Sequence, residues 1–190
     1  MLAATTELSE KTHILPFFRA RPNLSAFAGT FNMPVERIDL LGHELDIFGH
    51  FRCDLAVGNS RERAFSLIEF EDARPSSVFA EGTKYHDEWG KRFEHGFSQL
   101  VDWFWTIDDQ RHSNDFARRF GGSDARFFGM LVTGRRAFVD SVGQSRLRWR
   151  SDSVSIGGHK IAFVTFDDLL EALEAKLQYL RTIADAGDLT

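Results

Sequence analysis

The stretch FRCDLAVGNSRERAFSLIEFED, residues 51–72, decides the fold. FRCDLAVGN reads as one strand, Gly58-Asn59 as the turn out of it, and RAFSLIEFED as the next strand. HELDIFGH, residues 43–50, reads as the strand before them, joined at Gly49-His50, so the three make an antiparallel meander. Period-two alternation puts Glu69 and Glu71 on one face of the third strand, with Ile68 and Phe70 on the other. Asp54 lies on the neighbouring strand and can stand beside Glu69 on the same face.

Three carboxylates converging from two strands repel one another and resist desolvation. A divalent cation with oxygen ligands removes both penalties, and Mg²⁺, which takes few carboxylates and keeps several waters, suits Asp54, Glu69 and Glu71. The alternative for acids at this spacing is an exposed strand face with no ion.

Working outward, residues 1–12 are polar and expected to be loose, and the core is expected over about residues 35–184 of one domain. The segment from His13 to Leu41, broken by Pro16, Pro22 and Pro34, reads as irregular or partly helical, with a short helix over Val35 to Leu41 ended by Gly42. After the meander, SSVFAEGTKYHD reads as a loop. Residues 88–106 then carry a helical stripe of Trp89, Phe93, Phe97, Leu100, Val101 and Phe104. A polar line of Glu88, Arg92, His95, Gln99 and Asp102 flanks it, which either faces solvent or turns Gln99 or His95 toward the acids. ARFFGMLVTG and HKIAFVTF read as two further strands. A last helix is expected over residues 168–184, with capping-box spacing at Asp168 and Glu171. The fold class is α/β, a mixed central sheet flanked by helices.

The lone cysteine, Cys53, excludes an internal disulfide and a cysteine-based zinc site, which fits a reducing cytoplasm. No apolar run approaches the roughly 20 residues that span a bilayer. A net charge of −5 argues against a generally basic coat for nucleic acid. It conceals a balance of −6 over residues 66–110 and +6 over residues 111–150, where all nine bases are arginine. Arginine suits bidentate phosphate contact, but the same residues could simply pair with the acidic segment. The 19 phenylalanines suggest an aromatic core and leave room for an apolar interface in a homo-oligomer.

Asp54, then IEFE on the third strand, then a helix bearing FSQLVDWFW resemble the PD-(D/E)XK nuclease superfamily. More narrowly, CDLAVGN, IEFEDA and FEHGFSQLVDWFW look like the Shedu-type family, over roughly residues 43–140. The resemblance implies a restriction-endonuclease-like core of helix, three-strand meander, helix and strand. It also implies a Mg²⁺- or Mn²⁺-dependent endonuclease acting on DNA in bacterial defence against phage. Carried over by position, Asp54 and Glu69 bind the metal, Gln99 is the helix glutamine that joins the site, and Glu71 stands where the superfamily usually has lysine. Lys84 or Lys91 would then supply the missing cation, and Arg135 and Arg136, directly after the fourth strand, would grip the nucleic-acid backbone. Because Glu71 cannot donate positive charge, the alternative is a catalytically inactive module of the same fold that binds nucleic acid or a protein partner.

Overall fold

The computed structural model describes residues 7–31, 33, 37–83 and 86–187. The meander is present as β1 (Leu40–Ile47), β2 (Phe51–Asn59) and β3 (Ala64–Phe70). It is antiparallel throughout, with Leu45 opposite Cys53 and Leu55 opposite Ile68. Phe48 and Gly49 both take positive φ (52° and 76°) at the centre of the turn between Ile47 and Phe51, which the His50 N–H closes onto the Ile47 carbonyl at 3.1 Å. Leu40 and Leu41, expected to end a helix, instead open β1, and Gly42 lies inside that strand. Their pairing with Gly58 and Val57 outweighs the helical propensity of leucine, which sheet pairing readily overrides. Val35 and Glu36 of that expected helix lie outside the described residues.

Beyond the meander, β3 pairs in parallel with β6 (Arg126–Val132), and β6 in parallel with β8 (His159–Val164). The short β7 (Ser155–Ile156) closes the edge antiparallel to β8, giving the order β1-β2-β3-β6-β8-β7. A central strand covered on both faces needs no polar side, and all seven residues of β3 are buried. That is why its sequence runs apolar almost without a break, and why the acid within it is conspicuous.

One face carries Phe65 and Leu67 of β3 together with α3 (Lys91–Gln110), α4 (Asn114–Phe120) and α5 (Ser141–Ser153). Phe93, Leu100 and Phe104 of α3 fill this layer, as their helical spacing predicts, and Trp103 joins them, whereas Val101 of the expected stripe is only half-buried. The opposite face carries Ile68 and Phe70 against α1 (Leu15–Arg19), α2 (Pro22–Thr30) and α6 (Phe166–Gly187). The expected mixed sheet flanked by helices is therefore present. The segment expected as a loop before α3 is instead a hairpin, β4 (Phe79–Thr83) and β5 (His86–Trp89). It is held by Phe79 opposite Trp89, whose rings lie 4.6 Å apart. No described helix is long and apolar enough to cross a membrane.

Residues 7–12, expected to be loose, belong to the fold. Leu8 is buried and bridges Ala73, and Glu10–Ile14 forms a π-helical turn leading into α1. The α6 cap also sits three residues earlier than its spacing suggests. Thr165 and Asp168 bond reciprocally, the Thr165 N–H and hydroxyl to the Asp168 carboxylate and the Asp168 N–H to the Thr165 hydroxyl. Glu171 is left to pair with Arg136. Thr165→Ala should therefore lower stability by about 1 kcal/mol, read as an earlier urea midpoint with an unchanged slope.

Candidate metal centre

The antiparallel ladder between β2 and β3 ends at Leu55 and Ile68, and the next positions along it are Asp54 and Glu69. There the backbone pairing gives way to a side chain, with Asp54 Oδ2 accepting the Phe70 N–H at 2.9 Å. β3 itself continues along β6, the Glu71 N–H donating to the Val132 carbonyl at 3.0 Å. The acids thus lie where the parallel strands reach their C-terminal ends, a common place for a site in α/β sheets. Glu69 and Glu71 share the face covered by α3, as alternation requires.

Glu69, Glu71 and His95 of α3 form a compact set, with one ligand atom of each lying within 4.8 Å of the others. His95 Nδ1 is 2.5 Å from Glu71 Oε1, and Arg92, one turn earlier, places Nη1 3.3 Å from Glu71 Oε2. Helix and strand come this close because residue 96 is glycine. A Cβ there would lie 2.5 Å from Leu131 Cδ1 and 3.1 Å from Glu71 Cγ. Glu69 is 4 % exposed, and its Oε2 has no hydrogen-bond partner among the described residues.

A further acid comes from the N-terminal turn. The Glu10 N–H donates to Asp72 Oδ1 at 2.8 Å, and the Glu10 carboxylate lies 3.8 Å from Arg92, which also reaches Asp72 at 3.5 Å. Arg92 is the hub that joins Glu10, Glu71 and Asp72. The sequence carried little sign of this, because Glu10 arrives from a distant segment that local pattern marks only as polar.

Burial sets the protonation of the set. It pushes Glu69 up to about 10, reinforced by the charges of Asp54, Glu71 and Glu10. Asp54 rises to about 7, again chiefly by burial, although the Phe70 N–H opposes the shift. Glu71 is also raised by burial, while His95 and Arg92 pull it back. A bound cation would favour the ionised form of all three, so this donor set fits one.

Other residues singled out from sequence lie as follows. Gln99 sits one turn beyond Gly96, with its Oε1 buried and without a partner among the described residues. Lys84 lies outside the described residues, and Lys91 is exposed at the start of α3. Arg135 grips Asp167 through Nε and Nη2, and Arg136 pairs with Asp168 and Glu171. Both arginines therefore tie the end of β6 to the start of α6, apart from the carboxylate set. Of the remaining arginines over residues 111–150, Arg111 and Arg150 pair with Asp108 and Glu94 of the acidic segment. Arg118 and Arg119 pair with Asp115.

Residues 7–170 match the family described as Shedu protein SduA, C-terminal. The match includes Glu10, Asp54, Glu69, Glu71, Arg92, His95 and Gln99. No curated protein matches the chain.

Two outcomes follow from this geometry. Without cation, native Glu69 keeps a proton that the unfolded chain, with an ordinary value of 4.5, has lost. Stability should therefore fall as pH rises from about 5 to 8, by up to ~1.4 kcal/mol per pH unit per retained proton. Asp54 adds to the slope below about 7. Urea midpoints across that range should show the decline, and Glu69→Gln should flatten it. Separately, Gly96→Val should destabilise by about 1–3 kcal/mol through overpacking against Leu131 and Glu71, measured by the same denaturation.

Proposed function

The chain belongs to the Shedu SduA C-terminal family, and on that premise we propose that it is a divalent-cation-dependent nuclease. It hydrolyses phosphodiester bonds, of DNA before other nucleic acids, in the cytoplasm of a bacterium defending itself against phage. Its core is that of the PD-(D/E)XK nucleases. The observation that carries this reading is the buried Oε2 of Glu69, unpartnered among the described residues, in a compact set with Glu71 and His95. A carboxylate oxygen out of reach of water and of any donor costs stability on its own. It becomes favourable once a cation arrives.

Asp54, Glu69 and Glu71 would supply carboxylates to Mg²⁺ or Mn²⁺, with His95 within reach of Glu69 and Glu71. When bound, such an ion polarises a phosphoryl oxygen and makes water a stronger acid. The chain's own groups do the rest. Arg92, whose side chain is half exposed beside Glu71, presents a guanidinium to a substrate phosphate and to the negative charge that develops on it. His95, exposed at the mouth of the set, places its Nδ1 against Glu71 Oε1. Arg92 thus offers from the helix the positive charge that the superfamily usually draws from a strand lysine. Gln99 offers an amide to the same region.

One observation favours a second reading. Glu71 is already contacted by His95 and Arg92, which is how a site would neutralise itself if no ion were required. The chain would then be an inactive module that binds nucleic acid or a protein.

Supercoiled plasmid with Mg²⁺ or Mn²⁺ separates the two. The wild type should nick it, and Asp54→Asn and Glu69→Gln should each lower the rate at least ~100-fold. Glutamine mimics the protonated carboxyl that burial favours, so Glu69→Gln should be at least as stable as the wild type near neutral pH. Loss of nicking then cannot be ascribed to unfolding. Equal nicking by wild type and both variants would show a contaminant and sink the proposal. No nicking alongside retained DNA binding would establish the second reading.

A further inference from the structure

Oxygen ligands alone, from Asp54, Glu69 and Glu71, are what the sequence suggests for a metal, and they suit Mg²⁺. The geometry selects a different set. The three ligand atoms that come within 4.8 Å of one another belong to Glu69, Glu71 and His95. Asp54 lies outside this set, with Oδ2 engaged by the Phe70 N–H. Independently, Glu69 is 4 % exposed and its Oε2 is unpartnered among the described residues. We propose that Glu69, Glu71 and His95 form a mixed imidazole–carboxylate site for a first-row transition-metal cation, from Mn²⁺ to Zn²⁺, in preference to Mg²⁺. This rests on the reading of the acidic centre as a cation site, and names the cation.

Donor chemistry argues for it. Mg²⁺ takes oxygen ligands, demands near-ideal octahedral geometry and dehydrates reluctantly. Imidazole nitrogen instead suits the borderline cations, whose affinity for such sites rises along the first row toward copper. Two carboxylates and one imidazole also leave positions open for water or substrate, as catalytic sites of these metals do.

Distance and mobility agree. Metal–nitrogen and metal–oxygen bonds of about 2.0–2.2 Å put neighbouring donors of a tetrahedral site about 3.4 Å apart. The three ligand atoms, within 4.8 Å of one another, must therefore draw together round an ion while His95 Nδ1, 2.5 Å from Glu71 Oε1, moves off that oxygen. The buried glutamates cannot supply that movement, but the His95 side chain is 60 % exposed at the helix surface and can. Gly96 beside it lets α3 lie against Glu71 in the first place. Arg92 works against the ion, since its Nη1 lies 3.3 Å from Glu71 Oε2. Removing that charge should therefore strengthen binding.

The test uses the whole chain without nucleic acid. Titration with Co²⁺ followed by visible absorption, and calorimetry with Mn²⁺, Zn²⁺ and Mg²⁺, should show Co²⁺ and Zn²⁺ bound more tightly than Mg²⁺. His95→Ala should weaken Co²⁺ and Zn²⁺ at least ~10-fold and abolish the wild-type cobalt spectrum, leaving Mg²⁺ affinity within twofold. Arg92→Ala should bind Co²⁺ more tightly than the wild type. Mg²⁺ bound as tightly as Zn²⁺, or cobalt binding indifferent to His95, would overturn the inference while leaving the acidic centre a cation site. No binding of any cation would overturn both. Cobalt binding that depends on His95, without plasmid nicking under any metal, would uphold the inference and remove only the nuclease reading.

Discussion

A carboxylate inside a central strand is the constraint on which the rest of the arrangement turns. Glu69 lies in β3, flanked by β2 and β6, with α3 over the face it occupies, and water is almost wholly excluded from it. An ionised group in such a place must be paired, coordinated or protonated. No arginine or lysine approaches Glu69 among the described residues, although the neighbouring Glu71 has both Arg92 and His95. The molecule therefore keeps one anion compensated and leaves the other to a proton or an ion.

Several local features make sense only around this constraint. The β2–β3 ladder stops where Asp54 takes over a backbone donor, which brings a second acid to Glu69 without leaving the Phe70 N–H unsatisfied. Gly96 removes a Cβ that would collide with Leu131, so the helix that carries His95 can lie on the strands that carry the glutamates. The N-terminal turn adds Glu10 from above, pinned by Asp72 and Arg92. Each of these costs something in isolation. An interrupted ladder, a glycine within a helix and a π-helical turn are all weaker than their regular counterparts. Finding all three at one spot marks where regularity has been given up for position.

What could be read beforehand follows the range of the interactions concerned. The meander and the common face of Glu69 and Glu71 depend on a period of two, and the buried stripe of α3 on a period of 3.6. Both are written into neighbouring residues. Leu40 and Leu41 carry a local helical pattern, and their strand character comes from pairing with Val57 and Gly58, which no local pattern announces. The β4–β5 hairpin has the local pattern of a loop for a similar reason, since it is held by Phe79 against Trp89 across the turn. Glu10 was invisible as a site residue because it arrives from a segment some sixty positions away from Asp72. Charge was the least legible signal of all. The arginine-rich stretch looked equally suited to phosphate and to acid, and only the fold shows Arg135 and Arg136 committed to Asp167, Asp168 and Glu171.

Glu71 is where these threads meet. Seen along the strand alone, it is a missing positive charge, and the obvious remedy is a lysine nearby in sequence. Seen in three dimensions, positive charge lies beside it from the helix, as Arg92, with the His95 imidazole against its other oxygen. The two arrangements are not equivalent. A strand lysine is a compact charge fixed in the sheet, whereas Arg92 is a planar, half-exposed fork shared among three acids. Any ion entering beside Glu69 must compete with that guanidinium for Glu71. Were a cation to bind as proposed, Arg92 would be freed to turn toward an incoming anion. Cation and phosphate would then favour each other's binding through one side chain, which a strand lysine with no acid to release could not provide.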